Sequence, residues 1–568
     1  MKNILGKKWR SVKLNKTFSA IMSTASSAVI TAVIMAVTMA VIILSVFVIR
    51  PQVVSARECV GGYDALGISE GVVESRFDDS IGIYLVSVNG KVTVEFQEYT
   101  LVTGEPILVK GTMTVEKQLK DETRITTRYV YNLVNIEREV HLTRDVQFES
   151  IIQEKGNNQT VIVTRIDINT RRLSERIDTA GASYTLRSMD FTRTSLEDAS
   201  PSVLYYSGNS WYKKVYEVSG GRLSSQSGIF VTIEATGEFY GFDQHWGSSH
   251  VEETDFTIER SDRNMGSTDA DNWMASAIVR KSQSTITNLQ YYDNQPDAIS
   301  FRGGFLEIRR NDNILEISAR MPEFDVNGKT TDNIVPYKES SKIETFPMTK
   351  RLASPNIRQV RGHWAEDSIA KLFGLEVFKN GSTQFNPDQY ITRGEFAAAL
   401  VEAAKKIPED PWMKMANARP KTTGSRGKNQ VITPIFTDVD AEHMYFSQIE
   451  EAYNRGMMNP TSANMFSPNG EVTVASAAVA MIRAIGLESL ASYHGAITNY
   501  SDDNGIPDYA RDALYVCEYI GLLKGDGNGR IYPNKVITRG EAAVMLDRLV
   551  EYMRENIWID YRDRIMDY

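Results

Sequence analysis

The strongest constraint in this chain is a six-residue phrase that occurs twice. Tyr390-Ile391-Thr392-Arg393-Gly394-Glu395 returns as Val536-Ile537-Thr538-Arg539-Gly540-Glu541. Thr followed three residues later by Glu is a capping box. The hydroxyl accepts from an early helix N–H, and the carboxylate reaches back to the cap's own N–H. Apolar residues follow at helical spacing (Phe396, Leu400 and Val401; Met545 and Leu549), so each phrase begins an amphipathic helix. The arginine plays no part in the cap. It stands at the positive end of the helix dipole, where a cation is disfavoured. A residue set twice against its local electrostatics points to an anionic ligand. The plainer alternative is a solvated surface arginine.

The phrase belongs to a longer repeat. Trp364, Pro387 and Thr392 form one unit, Tyr445, Pro468 and Thr473 a second, and Tyr509, Pro533 and Thr538 a third. The aromatic-to-Thr distances are 28, 28 and 29 residues, and Pro to Thr is 5 in each. Apolar residues between them (Ile369 and Leu372; Ile449 and Ala452; Leu514 and Cys517) give a short helix, a loop, then the capped helix. One such pair cannot bury its apolar face alone, so the three are expected to pack together.

These residues resemble the S-layer homology family. Gly362-His363-Trp364-Ala365, Phe385-Asn386-Pro387 and Ile391-Thr392-Arg393-Gly394-Glu395 carry the likeness in the first unit, and Gly521-Leu522-Leu523-Lys524-Gly525-Asp526-Gly527 with Ile537-Thr538-Arg539-Gly540-Glu541 in the third. The resemblance implies a pseudo-threefold helical bundle whose inter-unit grooves hold an anionic, pyruvylated secondary cell-wall polysaccharide. It implies ligand contacts for Arg393 and Arg539, for Trp364 and Tyr509 against a sugar face, for Gly525 and Asp526, and for Asp438 and Asp502 ahead of the second and third units. Arginine suits a carboxylate because its planar fork donates two parallel hydrogen bonds. For Trp364 and Tyr509 the competing reading is packing between helices.

The second unit departs from the pattern. Val474 replaces the arginine and Ser476 the glutamate, so a weaker cap and an impaired groove are expected there. In the first unit Gln359 stands where the leading Asp is expected, and Glu376 where a turn glycine would fall. Gly525-Asp526-Gly527-Asn528-Gly529 invites a calcium-loop reading, but it lacks the closing Glu and the full set of oxygen ligands, so a plain turn is expected.

The rest of the chain has a different texture. Six basic residues and no acid precede a long apolar run from Ala28 to Ile49, which ends at Val54-Ser55-Ala56. That reads as a signal peptide or an uncleaved membrane anchor, and with it as export. Residues 1–56 carry seven positive charges and no negative ones, so without them the formal charge moves from -9 to -16. Such a chain will not hold to an anionic wall by bulk charge, and nucleic acid is excluded as a partner. The two cysteines, Cys59 and Cys517, make no disulfide framework, and Cys517 falls on an apolar helix face.

From about residue 60 to 345 the period falls to two, as in Lys91-Val92-Thr93-Val94-Glu95-Phe96, with glycine turns between the runs. This reads as antiparallel, sandwich-like sheet, in one or two sandwiches with a seam at Ser261–Asp271. The aromatic pairs Tyr205-Tyr206 and Trp211-Tyr212 read as strand packing. His245 and His250 complete no zinc set.

The fold class expected is therefore multidomain: an N-terminal signal or transmembrane helix, a β-rich middle and an all-α triplet. The divisions are a leader at 1–56, β-rich region at 57–345, linker at 346–358, first unit at 359–407, basic insertion at 408–431, second unit at 432–488, third unit at 499–552 and tail at 553–568. No cofactor, metal or catalytic residue is expected. The partners implied are wall polysaccharide and S-layer or other surface proteins, on the outside of a bacterial cell, with a membrane only at the N-terminal segment. A polysaccharide-active enzyme in the β-rich region, held by the same tether, is the alternative.

Overall fold

The computed structural model describes residues 71–74 and 91–566, apart from 122, 157, 171, 221–227, 263–271, 293–303, 327–328, 345–346, 379–383, 408–433 and 492. The leader at 1–56, Cys59 and the whole basic insertion lie outside the described residues. No described helix is long and apolar enough to cross a membrane.

Alternating apolar and polar residues build fifteen strands among the described residues. They are β1 (Gly71–Glu74), β2 (Lys91–Thr100), β3 (Ile107–Asp121), β4 (Arg124–Asn135), β5 (Val140–Glu154), β6 (Gln159–Ile166), β7 (Leu173–Asp178) and β8 (Ser183–Ala199), followed by β9 (Val203–Ser219), β10 (Ile229–Gln244), β11 (Gly247–Asp262), β12 (Trp273–Tyr292), β13 (Gly304–Phe324), β14 (Thr330–Glu344) and β15 (Met348–Arg351). They form one continuous sheet in which nearly every strand pairs with its neighbours in sequence. β6 and β7 share a single position between β5 and β8. At the break between them Gln147 donates through Nε2 to Asp167 Oδ2 at 2.8 Å.

The sequence led to one or two sandwiches; the structure has one sheet that curls until its last strands pack against its first. Three contacts show the curl. Gln97 on β2 bonds Ser341 on β14 at 3.2 Å. The Gly104 turn, at φ 82°, lies so close to Phe324 and Trp273 that a Cβ there would stand 2.8 Å from the Phe324 ring. Arg144 on β5 reaches Glu98 on β2 at 2.8 Å, across two intervening strands. The expected seam is no boundary either, because β11 and β12 pair directly from Arg260↔Trp273 onward.

One face of the curl is apolar: Phe96, Tyr131, Phe148, Phe191, Tyr212, Val231 and Ile258 share a core. Strand β10 shows why, burying every second residue along most of its length. Tyr205, Tyr206 and Tyr212 are buried, as their strand reading required. Charged residues lie inside as well. Glu175 takes Arg144 at 2.8 Å and Lys214 at 3.3 Å, and Glu252 takes Lys281 at 2.9 Å and Arg193 at 3.4 Å. Buried charges persist only when paired in this way.

The expected linker is structured: β15 adds to β13, and Leu352 enters the helical core. Seven α-helices follow among the described residues, α1 (Glu366–Gly374), α2 (Arg393–Ala404), α3 (Phe446–Asn454), α4 (Val474–Ile485), α5 (Arg511–Tyr519), α6 (Arg539–Glu555) and α7 (Ile557–Met566). Each unit is a short helix and a capped one, as the repeat predicts. Cys517 is a buried free thiol on α5. The tail docks as the helix α7, with Tyr561 4.9 Å from Phe242 of the sheet.

The C-terminal ends of the three capped helices meet the sheet. Trp246 donates through Nε1 to Ala403 O of α2 at 2.8 Å, and the Tyr205 hydroxyl to Ile485 O of α4 at 2.9 Å. Gln244 donates through Nε2 to Met553 O of α6. The last carbonyls of a helix have no partner within it, so each capped helix gains from the sheet a bond it cannot make itself. Val203, Tyr205, Phe242 and Trp246 share one apolar core with the helices.

Candidate unit junctions

At the opposite, N-terminal ends the units bond to one another. Arg393 N donates to Gly470 O at 2.9 Å and Gly394 N to Pro468 O at 2.8 Å, so unit one rests on the Pro loop of unit two. Val474 N donates to Lys535 O at 3.0 Å and Ala475 N to Pro533 O at 2.9 Å, placing unit two on unit three. Arg539 N donates to Gln389 O at 2.8 Å and Gly540 N to Pro387 O at 2.8 Å, which returns unit three to unit one. The first helix amides, which no helix satisfies internally, are thus taken up by the neighbouring loop. A Cβ at Gly394 would lie 3.2 Å from Pro468 O, and at Gly540 3.2 Å from Pro387 O; unit two carries Ala475 at the equivalent place.

All three capping boxes form. Thr392 with Glu395, Thr538 with Glu541, and Thr473 with Ser476 each exchange both bonds. The weaker cap expected of unit two is not seen in its geometry, since Ser476 Oγ accepts from Thr473 N at 2.9 Å, in the role of the glutamate.

Both arginines lie in junctions, partly buried. Arg539 extends its guanidinium to unit one, where Nε and Nη2 donate to the Glu395 carboxylate and Nη1 donates to Gln389 Oε1 at 2.7 Å. It borders a groove of about 430 Å³ lined by Phe378, Phe385, Glu395, Glu402, Met444 and Tyr445. Arg393 extends to unit two, with Nε on Phe466 O at 3.0 Å, Nη2 on Asn459 O at 2.9 Å and the guanidinium 4.9 Å from the centre of the Phe466 ring. Burial pulls its pKa down, only partly offset by the Asp438 charge. Val474 brings no side-chain donor to the third junction, where Lys535 Nζ donates to Glu541 instead.

The other expected contact residues divide. Trp364 is 66% exposed and Tyr509 63% exposed, so neither packs in the core between helices. Both immediately precede the cap of a short helix, a place that in unit two belongs to Met444; Tyr445, one residue on, is the cap itself. The aromatic of unit two therefore stands one residue later on its helix than those of units one and three.

Asp438 and Asp502 are loop clamps. Asp438 accepts from Phe466 N at 2.9 Å and Ser467 N at 2.7 Å, and Asp502 from Ile531 N at 3.1 Å and Tyr532 N at 2.8 Å. The clamp holds Ser467 at φ 59° and Tyr532 at φ 51°, left-handed conformations costly for residues with a side chain. Asp526 Oδ1 accepts from Asn528 N at 2.8 Å and Arg530 N at 3.0 Å, which depresses its pKa and closes its own turn. Gly525 is required there because a Cβ would stand 2.7 Å from the Gly529 carbonyl carbon. Sequence reasoning missed Glu395, Gln389 and Phe466 as partners of the arginines. The signal was present for Glu395 alone: cyclic docking sets Arg539 beside the Thr-x-x-Glu phrase of unit one.

Comparison with known proteins gives the same division. The family model for the S-layer homology domain matches residues 360–397, 435–478 and 499–543. Relatives include a surface-layer 125 kDa protein of Lysinibacillus sphaericus, 30% identical over 192 residues, 33% of this chain and 14% of that protein. An exoglucanase of Acetivibrio thermocellus is 25% identical over 258 residues, 42% of this chain and 21% of its own length. An amylopullulanase of Thermoanaerobacterium thermosulfurigenes is 27% identical over 197 residues, 34% of this chain and 9% of its own. The chain thus spans less than a quarter of the length of each of these relatives. Through its helical units, this chain carries three S-layer homology domains.

Proposed function

We propose that this protein anchors itself, without a covalent bond, to a bacterial cell wall through its three S-layer homology domains. In this reading the units form a pseudo-threefold bundle. Their junctions hold an anionic secondary cell-wall polysaccharide, with a pyruvyl ketal as the charged group. The cyclic bonding of helix starts to neighbouring loops supports the arrangement. The observation that carries the ligand class is Arg393, a partly desolvated guanidinium fixed at a junction, which favours a nearby anion. Exposed Trp364 and Tyr509 offer ring faces to sugar. The protein is exported, and the curled sheet is a structural or adhesive module that acts without catalysis. The test is sedimentation of the full chain with purified walls before and after mild acid removal of ketals. Retention only before removal is expected; equal retention after it would contradict the reading.

The relatives named as an exoglucanase and an amylopullulanase motivate a second reading, a wall-held polysaccharide-active enzyme. The buried carboxylates Glu98, Glu175 and Glu252 do not favour it, because each is ion-paired inside the sheet. Screening the full chain for release of reducing sugar from wall and plant glycans separates the two.

A further inference from the structure

Docked cyclically, the three helix starts place equivalent residues in three corners. Each corner combines the residue after one unit's cap with the third residue of the next unit's capped helix. Unit three meets unit one as Arg539 with Glu395; by the same cyclic docking of helix starts, Ser476 holds the position in unit two equivalent to Glu395 with respect to Arg393, and Glu541 that in unit three with respect to Val474. The repeat is therefore nearly symmetric in backbone and asymmetric in charge.

The Arg539 corner is internally satisfied. All three guanidinium nitrogens have side-chain acceptors, two of the bonds run to one carboxylate, and both partners are 18% exposed. An incoming carboxylate would have to displace Glu395 and face Glu402 in the same groove. The Arg393 corner differs. Its guanidinium donates only to the carbonyls of Asn459 and Phe466, and among the described residues it has no ion-pair partner within 4.0 Å. Asp438, the charge nearest in effect, lies beyond that distance with both oxygens bonded to the amides of Phe466 and Ser467. Carbonyl oxygens orient a guanidinium without neutralising it, so an arriving anion gains a charge-assisted contact and displaces none.

We propose that Ser476 makes the Arg393 corner the anion-receiving site, and that Glu395 holds Arg539 as a structural lock between units three and one. Ser476 completes the capping box as Glu does in the other two units, yet leaves Arg393 without a counter-ion. Position 476 is thus specificity-determining for the glycan's charged group. This rests on the reading above that the junctions bind an anionic wall glycan.

The experiment is isothermal titration of the full chain with a methyl glycoside bearing a pyruvyl ketal, and with the same glycoside lacking it. The parent is expected to bind one ketal-bearing molecule. Ser476→Glu restores the box the other units use and supplies a counter-ion, so affinity should fall about 10- to 100-fold with melting temperature retained. Glu395→Gln keeps a capping residue, releases Arg539 and should raise the stoichiometry from one to two. Arg539→Ala should leave ketal affinity within about twofold. Unchanged affinity in Ser476→Glu, or equal losses in Arg539→Ala and Arg393→Ala, overturns the asymmetry while leaving the anchoring reading intact. A parent that binds neither glycoside nor purified wall overturns both.

Discussion

The sheet and the helical units satisfy buried polar groups in opposite ways. Inside the sheet the partners are side chains from separate strands, with Arg144 and Lys214 on Glu175, and Lys281 and Arg193 on Glu252. In the helical part they are largely backbone groups. Helix amides bond to the next unit's loop, and helix carbonyls to Trp246, Tyr205 and Gln244 of the sheet. Ion pairs depend on protonation and on every partner being present. Backbone bonds depend on neither, only on the units being docked. The two regions should therefore respond differently to mutation and to acid.

The largest difference should come from Glu175→Gln. It removes the anion between Arg144 and Lys214, both almost fully buried, and breaking such a set costs about 3–5 kcal/mol. Urea denaturation should show that loss, with near-ultraviolet signals from the aromatic-rich sheet affected first. A change under 1 kcal/mol would remove the contrast between the regions.

Acid probes the same network without mutation. Burial raises the Glu175 pKa, but Arg144 and Lys214 outweigh it and hold the group down at about 2. Glu252 is depressed as well, burial again opposed by Lys281 and Arg193. Burial also lowers the pKa of His250 from its ordinary 6.5, so protonating it disfavours the fold in the same direction. A carboxylate with a depressed folded pKa stabilises above its unfolded value and loses that contribution as pH falls through the folded one. The sheet should thus begin to lose stability as pH falls through about 6.5, from His250, and lose more from about 4.5 down to about 2, from Glu175. Circular dichroism should show strand signal lost before helix signal; simultaneous loss would mean that the sheet–helix contacts dominate both.

The contacts joining the regions come next in size. Trp246→Phe keeps the ring in the shared core but leaves Ala403 O without its donor, at a cost of about 1–3 kcal/mol. Calorimetry should show a lower melting temperature for the helical transition. The smallest change is a gain. Glu376 adopts φ 60° where units two and three have Gly456 and Gly521, so Glu376→Gly should stabilise by about 1 kcal/mol. It should leave the acid response of the sheet untouched.

What could be read in advance follows from how local each interaction is. Capping boxes, the short helices and the glycine position filled by Glu376 are local, and each falls where its residues placed it. Strand alternation was equally legible. The single curled sheet was not, because period two marks a buried face without stating what covers it. That Asp438 and Asp502 clamp loops was not legible, because a carboxylate 28 to 30 residues from its amide partners gives no local sign of the clamp. Arg393 and Arg539 both reach into a neighbouring unit. That one is ion-paired and the other is not depends on residue 395 or 476 of a neighbouring unit.

The central claim is that a guanidinium held at a unit junction grips an anionic wall glycan. Its most direct test is retention of the full chain on purified, ketal-bearing walls, comparing the parent with Arg393→Ala at equal helix content. The account predicts that the substitution lowers affinity about tenfold or more, the share of one charge-assisted contact. An Arg393→Ala protein that binds those walls as tightly as the parent would contradict it.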